Sequence, residues 1–108
     1  MNGLWTAEFG SSTGRFGGGV IVFQNGKLMG GDASYFYLGD YTSEGDSFTA
    51  AFTISPFLPN AESVFNAAGR AFTLRLAGSV TGGVHAVAQG QAEGAPDIRF
   101  GVKLTKRA

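Results

Sequence analysis

The sequence predicts an all-β chain, a small antiparallel barrel of eight strands with one short helix, in a single domain spanning residues 1–108. Three observations predict it. Apolar and polar residues alternate with period two along most of the chain, and no stretch longer than about a dozen residues carries a helical period. Glycine-rich breaks recur at Gly10–Gly14, Gly30-Gly31-Asp32, Glu44-Gly45-Asp46, Gly78–Gly83 and Gly90–Gly94, at the spacing of an antiparallel meander. The 108 residues, 44% hydrophobic and 13% aromatic, exclude a disordered chain. A domain of this size buries roughly 65% of its unfolded-chain surface and can stand without disulfides.

Each element follows from its residues. Residues 3–9 and 17–24 are predicted strands, and Asn25-Gly26 is a type I′ hairpin signal joining the second to a short strand over 27–30. A strand over 34–41 comes next. Phe48, Ala50, Phe52 and Ile54 then alternate with Ser47, Thr49 and Thr53, which gives one core face and one wet face. Pro56–Asn66 interrupts the alternation, and Asn60 there is placed to cap a helix over 60–66. Phe72, Leu74 and Leu76 alternate with Thr73 and Arg75. Val84, Ala86 and Ala88 share a face, as do Ile98, Phe100, Val102 and Leu104, with Arg99, Lys103 and Thr105 opposite.

Two strands lack a wet face. Val20, Ile21, Val22 and Phe23 are apolar in succession, and so are Tyr35, Phe36, Tyr37 and Leu38. The short helix or a second copy of the chain must cover their outer side, because a bare apolar sheet face is an aggregation hazard and a symmetric dimer is the commonest remedy. The expectation is a homodimer through Val20, Val22, Tyr35 and Tyr37.

Composition excludes much chemistry. With no cysteine there is no disulfide framework, no thiolate nucleophile and no sulfur-ligated metal, and the single histidine, His85, excludes most all-nitrogen metal sites. His85 falls on the polar side of its strand beside Gln89, with no serine or aspartate motif around it. The run Thr13–Gly19 is rich in glycine but leads into a strand and lacks the Lys-Ser/Thr of a phosphate loop. Asp40, Glu44 and Asp46 crowd a turn without the ligand ladder of a calcium loop. The expectation is a chain that is not an enzyme, with no cofactor and no metal. Zero net charge argues against direct nucleic-acid binding. Residues 1–10 lack the basic start and apolar middle of a signal peptide, and no apolar run is long enough to span a bilayer as a helix, so the expected place is the cytoplasm with no membrane contact. Charge is uneven: residues 1–54 carry five acids against two bases, a net of −3, and residues 55–108 carry the compensating +3. An acidic surface of this kind hints at a basic partner.

The run from Gly17 to Asp32, Gly-Gly-Gly-Val-Ile-Val-Phe-Gln-Asn-Gly-Lys-Leu-Met-Gly-Gly-Asp, continued through Tyr37-Leu38-Gly39, resembles the first half of the GrlR-like family of type III secretion negative regulators. The opening Asn2-Gly3-Leu4-Trp5 supports the likeness, and beyond about Ile54 only the strand pattern is similar. The resemblance implies a lipocalin-like small barrel that forms a dimer; Gly3-x-Trp5 also resembles the Gly-x-Trp of the first lipocalin strand. It further implies protein binding without catalysis, the restraint of a transcriptional activator through an acidic loop after the Tyr-x-Gly strand. Here that loop is Thr42–Ser47, where Glu44 and Asp46, with Asp40 nearby, supply charge and Gly45 interrupts a run that is continuous in the family regulator. The alternative is a calycin-type carrier whose interior, lined by Trp5, Phe48, Phe52, Phe72, Leu74, Phe100 and Val102, holds a small hydrophobic ligand; the same side chains equally make a filled core.

Overall fold

The computed structural model of the chain describes residues 1–12, 14, 16–58 and 70–108. Eight strands run in chain order: β1 (Gly3–Ser11), β2 (Phe16–Gln24), β3 (Lys27–Gly31), β4 (Tyr35–Glu44), β5 (Ser47–Pro56), β6 (Phe72–Thr81), β7 (His85–Ala92) and β8 (Ala95–Lys106). Each pairs antiparallel with its neighbours, and β8 returns to β1 to close the barrel. The expected all-β antiparallel barrel of eight strands is therefore present. The helix expected over 60–66 lies outside the described residues, and among the described residues there is no helix.

Turn chemistry sets the register at one end of the barrel. Asn25 and Gly26 both have positive φ, 50° and 85°, as a type I′ turn requires, and Gln24 faces Lys27 across it. At the next hairpin on that end, Glu44 faces Ser47, with Gly45 at φ 60° in the first central position, a conformation that glycine adopts without strain. The predicted loop Thr42–Ser47 is thus mostly strand: β4 continues through Glu44, and the turn is two residues long.

The inward parity of every strand fills the interior. Trp5, Ile21, Phe23, Leu28, Tyr37, Phe52, Leu74 and Leu104 are the largest fully buried side chains. Edge-to-face contacts join Trp5 to Phe23 at 6.2 Å, Phe23 to Tyr41 at 5.0 Å and Phe23 to Phe48 at 6.4 Å, and further along the axis Phe9 meets Tyr37 at 6.0 Å. Eight strands enclose an interior wide enough for side chains to fill or for one small ligand. The predicted interior set Trp5, Phe48, Phe52, Leu74, Phe100 and Val102 is buried, and Phe72 is half-buried.

Three expectations are corrected by parity. Tyr35 and Tyr37 point inward and are each 2% exposed, so they cannot form a dimer interface; their neighbours Phe36 and Leu38 point outward instead. Val84 does not share the face of Ala86 and Ala88 but lies exposed in the β6–β7 turn. Gly78 and Gly90, expected in turns, lie inside β6 and β7. Each sits where an added Cβ would strike the backbone of the paired strand, the Val87 carbonyl for Gly78 and the Arg75 carbonyl for Gly90. Glycine there lets the strands bend closely enough to close the barrel.

Gly90→Ala is accordingly expected to destabilise the fold by about 1–3 kcal/mol, although alanine is otherwise the better strand residue. A lower urea midpoint with an unchanged slope is the expected reading, and an unchanged midpoint would show that the corner does not need its glycine.

Candidate functional site

Outward parity on the first four strands produces a contiguous apolar face. Register aligns Leu4, Val22, Met29 and Leu38 in one row across β1, β2, β3 and β4. Val20 and Phe36 lie one step along the strands, separated by Gly31 on β3. Leu38 is 54% exposed, and Leu4, Val20, Met29 and Phe36 are each more than a third exposed. Of the four residues expected at an interface, Val20 and Val22 are on this face. Leu4 and Met29 join it unforeseen, although alternation with buried Trp5 and Leu28 was a sufficient signal for both.

The polar border of the face holds the predicted acidic group. Lys27 and Asp40, one step beyond Met29 and Leu38, form an exposed ion pair at 2.7 Å. Glu44 follows Asp40 by four residues on the same strand, about 13 Å along it. Asp46 is exposed in the turn, where its backbone carbonyl accepts the amide of Val80 at 2.7 Å. The structure therefore brings Asp40, Glu44 and Asp46 to one edge without clustering them, and Asp40 already has a partner. The basic strand β8, with Arg99 and Lys103 facing outward, stands four strands from β4 around a ring of eight, so the two charge-bearing strands occupy opposite sides of the barrel.

Two polar devices pin the ends of the barrel. Asn2 accepts the Tyr41 hydroxyl at 2.7 Å and the Asn25 amide at 3.0 Å, tying the N-terminus to the type I′ turn. At the opposite end Asp32 accepts the amides of Ser34 and Tyr35, both at 2.9 Å, and its second oxygen takes a short hydrogen bond from the Tyr37 hydroxyl. Gly19 makes room for that phenol, since a Cβ there would stand 2.8 Å from the Tyr37 oxygen. Burial, then the Asp32 bond and charge, hold the Tyr37 hydroxyl well above the ordinary tyrosine value. The Asp-x-Ser of the β3–β4 turn was the sequence signal for the second of these devices. The Tyr35 hydroxyl is buried with no hydrogen-bond partner among the described residues. Also among the described residues, no group of acidic or histidine side chains could hold a metal ion, and no helix is long and apolar enough to cross a membrane.

No protein-family profile and no curated protein sequence matches the chain. A solved structure of a redesigned β-barrel matches with a TM-score of 0.70 at 14% identity, over 99% of this chain and 91% of that one. At that identity the likeness is one of fold alone.

The Tyr37 phenol makes stability pH-dependent. Its folded pKa lies above the unfolded value of 10.0, so its contribution is complete below pH 10.0 and is lost as pH rises beyond it, where the unfolded chain ionises and the folded chain does not. Unfolding free energy measured across that range is expected to fall in the wild type and to fall less in Tyr37→Phe. Equal slopes in the two proteins would remove Tyr37 as the cause.

Proposed function

We propose that the protein is a non-catalytic interaction module, a homodimer joined through the outer face of β1–β4. The observation that carries this reading is the contiguous row Leu4, Val22, Met29 and Leu38, with Val20 and Phe36 beside it and the Lys27–Asp40 pair on its border. An apolar centre with a polar rim is the anatomy of a protein interface. Under a two-fold axis the Lys27–Asp40 borders of both copies join the rim, where opposite charges help to set orientation.

The resemblance of residues 17–39 to the GrlR-like regulators supports a more specific role, a lipocalin-like cytoplasmic regulator that binds and restrains a basic transcriptional activator. The contact would be the β4–β5 turn with Glu44 and Asp46, and Asp40 behind it. Gly45 supplies the positive φ of the turn and interrupts the acidic run that the resemblance implies. Carriage of a small hydrophobic ligand is a second reading, favoured by one atom, the buried Tyr35 hydroxyl that an oriented ligand would satisfy. Against it stands the ring-to-ring packing of Trp5, Phe23, Tyr41 and Phe48 across the interior.

Sedimentation at micromolar concentration is expected to return a dimer of the 11.2 kDa chain, and Leu38→Glu a folded monomer. A wild-type monomer would overturn the dimer. With a partner captured from lysate of the source cells, Glu44→Ala combined with Asp46→Ala is expected to weaken binding several-fold, and raised salt to mimic it, because exposed rim charges are each worth about 1 kcal/mol or less. Unchanged affinity in the double variant and indifference to salt would move the contact off the turn. Native mass spectrometry decides the carrier reading by showing, or failing to show, a retained small molecule.

A further inference from the structure

Of the described strands β3 is the shortest, five residues against nine in β2. Its pairing with β2 ends where Gly31 faces Val20, so residues 16–19 of β2 keep β1 on one side and have no strand on the other. The cause is local. Beyond Gly31 the chain turns back into β4, because the Asp32 amide donates to the Tyr35 carbonyl at 2.9 Å and the Asp32 carboxylate accepts the amides of Ser34 and Tyr35. The backbone left uncovered is open to water: Phe16, Gly17 and Gly18 are all exposed.

Register decides which backbone groups face the gap. In an antiparallel pair each residue points its N–H and C=O to the same side, and successive residues alternate. Leu4 uses both groups on the far side of β1, donating to the Ala108 carbonyl and accepting from the Arg107 amide. Trp5, Ala7 and Phe9 therefore face β2, where their partners are Ile21, Gly19 and Gly17. That leaves Val20, Gly18 and Phe16 pointing away from β1. Val20 meets Gly31 there. Gly18 and Phe16 meet no strand, and on that side neither has a backbone hydrogen-bond partner among the described residues.

We propose that this edge of β2 accepts an extended segment of a partner protein, added as a strand in line with β3 and hydrogen-bonded to Phe16 and Gly18, with an aromatic side chain over Gly18. Hydrogen-bond complementarity selects the occupant. Gly18 and Phe16 each offer a donor and an acceptor, about 7 Å apart along the strand, and an extended backbone presents donor and acceptor at the same two-residue repeat. The side-chain preference follows from the outer row. Phe16 and Val20 project outward on either side of Gly18, 80% and 44% exposed, and between them lies a space that a ring fills, as aromatic residues cover strand glycines. A second copy does not fit the same edge. Two-fold pairing of β2 with its own copy sets both barrels on the same side of one shared sheet, a strand spacing of about 4.8 Å apart, where their walls collide. A lone strand has no barrel behind it. The inference goes beyond the dimer face and the acidic turn, which act through side chains and not through a backbone edge.

Amide hydrogen exchange tests it with one probe, the acetylated and amidated peptide Lys-Val-Thr-Tyr-Thr-Val-Lys, in three forms: unmodified, N-methylated at both threonines, or N-methylated at the tyrosine and both valines. With the tyrosine over Gly18, the valine and tyrosine amides face β2 and the threonine amides face away. The first two forms are expected to bind and to slow exchange at Phe16 and Gly18, about tenfold at ten times the dissociation constant. Gly17 and Gly19, already bonded to β1, should not change. The third form should not bind. Gly18→Pro removes an edge N–H and should weaken the unmodified peptide about tenfold, at a smaller loss of thermal midpoint than Gly17→Pro, which breaks the bond to Phe9. Equal binding of the three forms, or binding of none, would overturn the edge, as would protection confined to Met29 and Leu38. Protection of Phe16 and Gly18 that grows with protein concentration alone would give the edge to a second copy and overturn the partner strand. Binding should persist in Leu38→Glu, so that the edge and the dimer face are read separately.

Discussion

Closure of one eight-stranded sheet upon itself is the constraint from which the rest follows. In a closed sheet every inward position lines the interior and every outward position faces away from it. Alternation along the strands then divides the molecule in two. Trp5, Phe23, Phe48 and Phe52 belong to the inside; Leu4, Val22, Met29 and Leu38 do not, although nothing in their hydropathy separates them from the core. Because β8 pairs with β1, every strand has a neighbour on both sides, and only the stretches that outrun the short β3, such as Phe16–Gly19, keep an open edge.

Closure also decides what each glycine is for. At Gly90 the strand bends into its neighbour and a side chain would collide with it; at Gly101, on the adjacent strand, a side chain would meet ordinary space. The first glycine belongs to the architecture, and the second leaves bare backbone on the outer wall. The apolar face on β1–β4 and the hollow over β1 and β6–β8 then stand as separate outer surfaces of one barrel.

Polar groups are spent at the ends of the barrel. Asn2 with Tyr41 and Asn25 fastens one end, and Asp32 with Ser34, Tyr35 and Tyr37 fastens the other. Each device ties a strand interior to a turn, so that strand register and hairpin geometry support each other. Between them the packing is aromatic and apolar. The exposed ion pairs, Lys27–Asp40 and Arg75–Glu93, are of the kind that adds little to stability, and the first matters here mainly as the border of the apolar face.

By itself the sequence determined the fold class, the count and order of the strands, the type I′ turn at Asn25-Gly26 and most of the core, because alternation with period two and turn-forming residues are local and survive in one dimension. Trp5, Phe52, Leu74 and Val102 could be assigned inward since polar neighbours mark the other face, or small ones mark the strand. Tertiary structure alone decided the rest. Between Tyr35-Tyr37 and Phe36-Leu38 hydropathy offers no choice, and the aromatic pair went inward where Asp32 receives the Tyr37 hydroxyl and Gly19 leaves it space. Asp40 proved to be half of an ion pair only when β3 was laid beside β4. Glycine carried the least legible message of all: a missing side chain looks the same in a turn, at a barrel corner and on an open outer wall, and only the distance to the neighbouring strand tells them apart.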